Sequence, residues 1–281
     1  MKNRILTLLL TLGVLLANCF GLCAAPKTLK GNGRLVTKEI LLKQSFSAVS
    51  ASRSVKVKLV AAPAGKIGIE ADENVIDHVL VETKGNTLRL TIDPAYTSVS
   101  NISVTVTVPT DGRLTDLEAS SAAKIIAEPV IRSASVGLDA SSAAVIEATV
   151  EAESCELEAS SSARIRASVK GGSCDIDASS AAVVTATLAV EQCKIELTSA
   201  ANARLTGAAL RCSVEASSAA KLDADAFAVK RCSAKASSAA KLSLCCLEVL
   251  DANASSGSTI TYQGNCSLES RKSSGGRISK K

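Results

Sequence analysis

The sequence has very few aromatic side chains. Only 2% of its 281 residues are Phe, Tyr or Trp, and tryptophan is absent. A surface that binds single-stranded nucleic acid needs aromatic rings on which bases stack, so this class of function is excluded. Histidine occurs once, at His78. The 47% of apolar residues are therefore mainly Ala, Val, Ile and Leu, and such small side chains fill only a thin core at native packing density.

An excess of one charge is also missing. The chain has 32 basic and 27 acidic residues, which leaves a net charge of +5. This balance argues against the concentrated basic footprint of a nucleic-acid-binding protein. Beyond the first 24 residues, no apolar run is long enough to form a transmembrane helix. We expect no nucleic-acid partner and no transmembrane segment in the mature chain.

The first 24 residues have the pattern of an export signal. Lys2 and Arg4 form a basic start, and residues 5–17 form an apolar stretch too short to span a bilayer. Cleavage is expected near Cys23 or Ala24. A lipoprotein is a weaker alternative, because neither Cys19 nor Cys23 follows a small residue. The pattern predicts a periplasmic or outer-surface protein.

The most abundant feature is a short block, Ala-Ser-Ser-Ala-Ala, that recurs with small changes. Successive blocks are separated by 21, 19, 19, 21, 17, 20, 18 and 18 residues. A period near twenty is typical of solenoid proteins. The last two copies drift, as terminal repeats often do. The aligned blocks begin at Ala119, Ala140, Ala159, Ala178, Ser199, Ala216, Ala236, Ala254 and Lys272.

Residues around the block alternate between apolar and polar. In "CELEA", Cys155, Leu157 and Ala159 share one side, and Glu156 and Glu158 share the other. Alternation with period two indicates strands. Six residues after each block start the side chain is aliphatic, which predicts an inward position: Ile125, Ile146, Ile165, Val184, Leu205, Leu222, Leu242, Ile260 and Ile278. The repeat therefore predicts an all-β fold, a parallel β-solenoid with coils of about 20 residues, in which the block forms a sharp corner.

The region before the repeats is also strand-like. Four segments alternate, at 54–60, 66–71, 87–93 and 102–109, and they are separated by turn signals. An uncovered solenoid edge invites aggregation. We therefore divide the chain into a signal peptide at 1–24, an N-terminal β region at 25–110 that caps the solenoid, and the repeats at 111–281.

The order of these segments resembles a known family. "FSAVSASRSVKVKLV" is followed by "GNTLRLTI", by "VTVTVPTDGRLTDLEASSAAKI" and then by repeated Ser-Ser-Ala units. Over residues 36–265 this is similar to the "Putative auto-transporter adhesin, head GIN domain" family of exported bacterial proteins common in Bacteroidetes. The resemblance implies a right-handed parallel β-helix and a periplasmic or surface location. The chain departs from the family in its Ser-Ser corners, its many cysteines and its lack of a translocator domain.

Two sets of charged residues are candidate binding faces. Directly before the block stand Glu118, Asp139, Glu158 and Asp177, which are expected to form an acidic column. Such a column is either a solvated face or, alternatively, a Ca²⁺ site, since Ca²⁺ takes several oxygen ligands. Beyond the corner stand basic residues expected to face anionic polysaccharide or lipid headgroups: Lys124, Arg164, Arg204, Lys221 and Lys241.

No residues predict a reaction. A catalytic site needs a few convergent, irregular polar groups, whereas these charges follow the repeat. We predict a non-catalytic protein without a cofactor that acts in surface adhesion, binding or envelope structure, with envelope glycans or surface proteins as partners. The alternative is a polysaccharide lyase or hydrolase on a β-helix scaffold.

Five cysteines follow the repeat period and are expected to face inward: Cys155, Cys174, Cys193, Cys212 and Cys232. Three interpretations remain open. The column is a stack of small buried apolar side chains, or it forms one or two disulfides, which an exported protein permits. A metal site of four thiolates is disfavoured, because a linear column does not surround one point. Val136 and Leu250 stand at the equivalent positions in the flanking copies, which favours the packed stack.

Overall fold

The computed structural model describes residues 27–42, 44–63 and 65–281. The predicted signal peptide, with Cys19 and Cys23, lies outside the described residues. The described residues form 21 β-strands and one short 3-10 helix, Ile76–His78. The strands before the repeats are β1 (Thr28–Lys30), β2 (Leu35–Leu41), β3 (Ala48–Ala51), β4 (Lys56–Ala61), β5 (Lys66–Asp72), β6 (Val79–Lys84), β7 (Thr87–Ile92), β8 (Ser98–Ser100) and β9 (Val104–Thr110).

The repeats form the remaining strands, which stack in parallel and in register. They make a β-solenoid of about nine turns with coils of about 19 residues. The all-β solenoid fold is thereby confirmed. The strands are β10 (Asp116–Ala119), β11 (Lys124–Ala127), β12 (Ile131–Ala140), β13 (Val145–Ala159), β14 (Arg164–Ala178), β15 (Val183–Leu197), β16 (Asn202–Ala216), β17 (Lys221–Ala236), β18 (Lys241–Ala254), β19 (Thr259–Gln263), β20 (Ser267–Lys272) and β21 (Arg277–Lys280).

One repeat was aligned wrongly from the sequence. The fifth block begins at Leu197 and not at Ser199, because Leu197 pairs with Ala178 on one side and Ala216 on the other. The residue of this coil that aligns with Val184 is accordingly Ala203, while Leu205 aligns with Ala186. Leu205 does point into the core, as predicted, with 1% of its surface exposed. The coils on both sides of Leu197 therefore keep the 19-residue step.

The inward side chains of all coils stack into one continuous core. At the predicted aliphatic position the residues are at most 7% exposed, with Ala203 in place of Leu205. Buried and exposed side chains alternate along each half-coil, and this alternation shifts by one residue between the two half-coils. In β14 the shift lies at Lys170–Ser173, where the last three residues are half-buried. The slip lets both half-coils point an apolar row into the same core.

The block forms the corner, as predicted, and its backbone conformation explains the tight geometry. In the fourth copy, Ser180 and Ala181 have φ of 52° and 61°, and Ala182 N–H donates to Ser179 C=O at 3.0 Å. Two left-handed residues closed by this hydrogen bond characterise a type I′ turn. The same pair of left-handed residues recurs in every repeat, and in the last two coils glycine takes the second position, at Gly257 and Gly275.

The corners also bond to one another along the stack. Ala181 N–H donates to Ser199 C=O of the next coil at 3.0 Å, and the equivalent bond recurs from corner to corner. The fourth residue of the corner points into the core, so that Ala182 is completely buried. The small residues of the block are thus required by the corner: two are exposed at left-handed positions, and one packs where there is space only for a methyl group.

The region before the repeats does not stack in chain order. β3 and β4 form a coil whose one side pairs with β10 and β11 and whose other side pairs with β7 and β9. The chain therefore forms the inner coil first, from β3 and β4, and then the outer coil, from β7 and β9. It then returns to the other side of the inner coil, where β10 and β11 begin the repeats. Antiparallel strands cover the outer coil, since β5 pairs with β9 and β2, and β6 pairs with β7.

The four strands expected from alternation before the repeats are all present, as β4, β5, β7 and β9. At the other end of the stack, β20 and β21 form the last coil, and β20 is exposed along its whole length. In the described part of the chain, no helix has the length and apolar character needed to cross a membrane.

Candidate binding faces

The half-coil after each corner presents a column of mostly basic and small polar side chains, here called the post-corner column. It contains four of the basic residues expected there, Lys124, Arg164, Lys221 and Lys241, in one register. Val145, Val183 and Asn202 separate the first three, whereas Lys221 and Lys241 are direct neighbours. In parallel strands, neighbours lie about 4.8 Å apart, so these two ammonium groups concentrate positive charge at one place.

Arg204 was assigned to this column, and the structure shows that this is wrong. Because the fifth repeat begins at Leu197, the column position in that coil is Asn202. Arg204 lies two residues further along the strand, on the same face, and pairs in register with Thr185 and Asp223. Its Nε is 3.1 Å from Asp223 Oδ2, so that its charge is partly neutralised.

A groove runs between the post-corner column and the adjacent column that contains Arg204. Its volume is about 730 Å³, and it crosses five successive coils. Lys221 and Lys241 line one side, and the remainder is formed by aliphatic side chains, the paired Arg204 and Asp223, and the hydroxyl groups of the Thr and Ser residues. In the part of the chain that the structure describes, Lys124 pairs with Glu147 at 2.9 Å, while Lys221 and Lys241 have no carboxylate partner within ion-pair distance. The groove therefore offers two free cations and neutral donors to an anionic ligand.

The half-coil before each corner presents the predicted acidic column. Glu118, Asp139, Glu158 and Asp177 are in register in successive coils. The structure extends the column by Glu196, which the misaligned repeat concealed, and by Glu215, which stands directly before Ala216 and was overlooked. Lys235 follows Glu215 and ends the acidic run, with its Nζ 2.8 Å from Glu215 Oε1.

Crowding of carboxylates changes their acidity. Partial burial, reinforced by the neighbouring carboxylates, raises the pKa of Asp139, of Glu158 and of Asp177. At the end of the column the opposite holds, because the hydrogen bond and charge of Lys235 lower the pKa of Glu215. The acidic column is thus a repulsive surface in its middle and a neutralised one at its end.

The raised pKa values predict a pH dependence. A carboxyl group whose pKa is higher in the folded than in the unfolded state stabilises the fold below its unfolded pKa of about 4, and this stability is lost as the pH rises through the folded pKa. We expect Glu158→Gln to increase the free energy of unfolding at pH 7 by a few tenths of a kcal/mol, since water screens an exposed site. At pH 3.5 the variant and the parent should be equal. Urea denaturation at both pH values measures this.

Glu215→Gln is the matched control, because it removes the carboxylate that is paired with Lys235. Its effect at pH 7 should have the opposite sign, a small loss of stability. Added salt should shrink both differences. Equal effects of the two variants would contradict the account of the acidic column.

The arrangement of the acidic groups does not form a calcium site. Among residues 27–42, 44–63 and 65–281, no three His, Cys, Asp or Glu side chains are grouped so that they could hold a metal ion. The Nε2 atom of His78 is 3.0 Å from the hydroxyl of Tyr96. The histidine is therefore engaged with a tyrosine in the N-terminal region.

The cysteine column faces inward, as predicted. Cys155, Cys174, Cys193, Cys212 and Cys232 are in register in five successive coils and are at most 6% exposed. Val136 and Leu250 continue the column at its two ends. The eight cysteines among the described residues are all free thiols.

These features define a class of protein: a parallel β-solenoid whose charged side chains are repeated along extended faces and are not gathered in one cleft. The chain belongs to the "Putative auto-transporter adhesin, head GIN domain" family, whose model matches residues 45–188 and 166–266. This confirms the resemblance found in the sequence. The family suggests an exported or surface protein with a role in adhesion or binding.

Two solved structures with the same fold come from Parabacteroides species. A "putative adhesin" from Parabacteroides merdae is 17% identical, with a TM-score of 0.68, and the alignment covers 91% of this chain and 99% of that one. A "Putative lipid binding protein" from Parabacteroides distasonis is 16% identical, with a TM-score of 0.69, over 91% of this chain and 100% of that one. At these identities the likeness shows the fold alone. A search of curated proteins found no match.

Proposed function

We propose that the protein is an exported, non-catalytic adhesin-like module that binds an anionic polysaccharide of the cell envelope through the groove beside the post-corner column. The observation that carries the proposal is the pair Lys221 and Lys241, adjacent in register and without carboxylate partners, on the wall of a groove that crosses five coils. A groove of this length accommodates several units of a linear polymer. Equivalent positions recur about every 4.8 Å along the stack, which suits a repeating ligand.

The chemistry of the groove favours carboxylate or sulfate groups. Two ammonium groups provide charge, and hydroxyl groups such as those of Thr185 and Thr259 donate hydrogen bonds. Cations at the rim of a site also raise the association rate with an anionic partner. Neutral sugars lack the charge and would find no aromatic ring for stacking in this face.

The test is binding to immobilised polygalacturonate and dextran sulfate, with neutral dextran as the reference. The double variant Lys221→Glu/Lys241→Glu should weaken binding at least tenfold, since reversing a charge contact costs about 1.4 kcal/mol or more. The matched control is Lys30→Glu/Lys84→Glu, which changes the net charge equally at exposed positions outside the groove. This control should bind nearly as well as the parent.

Two results would contradict the proposal. If both double variants lose binding equally, the interaction follows net charge and the groove is not the site. If the parent binds phosphatidylglycerol vesicles but not the acidic polysaccharides, the partner is a lipid surface, and the assignment to a glycan is wrong.

A further inference from the structure

The cysteine column is a row of metal-ligating side chains in the described residues that neither charged face involves. We propose that the thiol column, Cys155, Cys174, Cys193, Cys212 and Cys232, binds soft monovalent metal ions of the Cu⁺ and Ag⁺ type. Each ion is held between the sulfur atoms of two neighbouring coils. The site is independent of the proposed glycan groove, which lies on the other half of each coil.

The thiols are neighbours in space as well as in register. Cys155, Cys174, Cys193, Cys212 and Cys232 are each paired in register with the next one along the stack, and all five are at most 6% exposed. Leu250 follows Cys232 in the next coil and ends the row. A run of adjacent thiols therefore passes through five successive coils.

The spacing of the column matches a two-coordinate ion. Neighbouring parallel strands are about 4.8 Å apart, and a bond between a thiolate and a metal ion is about 2.3 Å long. An ion midway between two sulfur atoms thus completes two bonds nearly in line. Four-coordinate zinc does not fit, because no three ligating side chains converge on a point among the described residues. Thiolates select soft ions such as Cu⁺ over hard ones.

The column lies directly beneath a surface groove. This groove, of about 660 Å³ on the half-coil before the corner, is lined in part by Cys193, Cys212 and Cys232, which keep 4–6% of their surface exposed. Its rim contains Arg211 and Arg231, which are in register in neighbouring coils. Binding of one monovalent ion by two thiols releases two protons to solvent and leaves one net negative charge. The Arg211 guanidinium stabilises that charge, whereas Arg231 is already paired with Glu248, its Nε lying 3.6 Å from Glu248 Oε2.

Protons compete with the metal ion. Since the ligand is the thiolate, the affinity should increase with pH. An ion that binds the folded state alone should also raise the melting temperature.

The experiment uses the full chain, reduced under argon and separated from reductant. Ag⁺ is titrated and followed by the ultraviolet charge-transfer absorption of silver thiolate, and retained silver is counted after desalting. The parent should retain at least one ion, with a higher melting temperature. Cys193→Ser/Cys212→Ser should retain at least one ion fewer, whereas Cys245→Ser should match the parent, because Cys245 pairs with Ala228 and Gln263 and not with a thiol.

X-ray absorption at the silver edge of the loaded parent does not depend on the folding of any variant. The spectrum should show two sulfur ligands for each silver ion. Three or more ligands, or ligation by oxygen or nitrogen, would overturn the proposal. So would the absence of retained silver, equal retention by the double variant, or a fall in the melting temperature. If the protein purified in air has four or fewer free thiols after denaturation, the column is a set of disulfides, and the proposal is likewise overturned.

Discussion

Phe227→Ala is expected to lower the free energy of unfolding by about 3–5 kcal/mol, the range for removing a buried aromatic ring. Phe227 is 1% exposed and has the largest side chain among the fully buried residues. Phe227 is paired with Gly207, which has no side chain. Near this position the register of β17 shifts relative to both of its neighbours, β16 and β18. Its ring therefore fills the core where the coils differ in width. Urea denaturation followed by circular dichroism measures the loss.

Leu210→Ala is the control for Phe227→Ala. Leu210 lies in the preceding coil and is 46% exposed, so its truncation should change stability by no more than about 0.5 kcal/mol. A total stability of about 5–15 kcal/mol is usual for a domain, which makes the loss at Phe227 a large fraction. Similar losses for the two variants would show that the core does not depend on this ring.

Replacing all six alanines at the second left-handed corner position by glycine is expected to stabilise the protein. A left-handed conformation costs an L-residue about 1–2 kcal/mol, which glycine avoids. Glycine loses about 0.5–1 kcal/mol of this benefit, because its unfolded chain has more conformational entropy than that of alanine. One substitution, such as Ala181→Gly, should therefore gain about 0.5–1 kcal/mol, and all six roughly 3 kcal/mol or more. The positions are Ala122, Ala143, Ala181, Ala200, Ala219 and Ala239.

The neighbouring alanine provides the control for the corner glycines. Ala182 is fully buried and has no left-handed φ, so Ala182→Gly should destabilise the protein by about 1 kcal/mol, through lost packing and added chain entropy. Thermal melting of both variants checks the difference in sign. A loss of stability in Ala181→Gly would refute the assignment of strain to the corner.

The candidate faces show how far a repeat pattern predicts position. Lys124 and Lys221 occupy one column because every residue between them belongs to a regular coil. The groove beside them was not predicted, since a groove depends on the heights of side chains in two adjacent columns. The missing carboxylate partners of Lys221 and Lys241 were also unpredictable, because an ion pair between coils, such as Arg204 with Asp223, depends on exact register.

The sequence by itself determined the coil, its period, its inward column and the inward row of cysteines. Each follows from alternation and repetition, which are local properties. Only the tertiary structure decided the register of the fifth repeat. A shift of two residues, from Leu197 to Ser199, leaves every side chain on the same side of the strand, so that alternation cannot detect it. The stacking of corners on one another resolves the choice.

The tertiary structure also decided the order of the first coils and the backbone of the corner. Strands β3 and β4 lie between partners that come later in the chain, and nothing in the alternation of a strand specifies its neighbours. The left-handed corner is formed mostly by serine and alanine, residues that do not favour this conformation on their own. It is held there by hydrogen bonds between successive corners, an interaction that exists only once the coils are stacked.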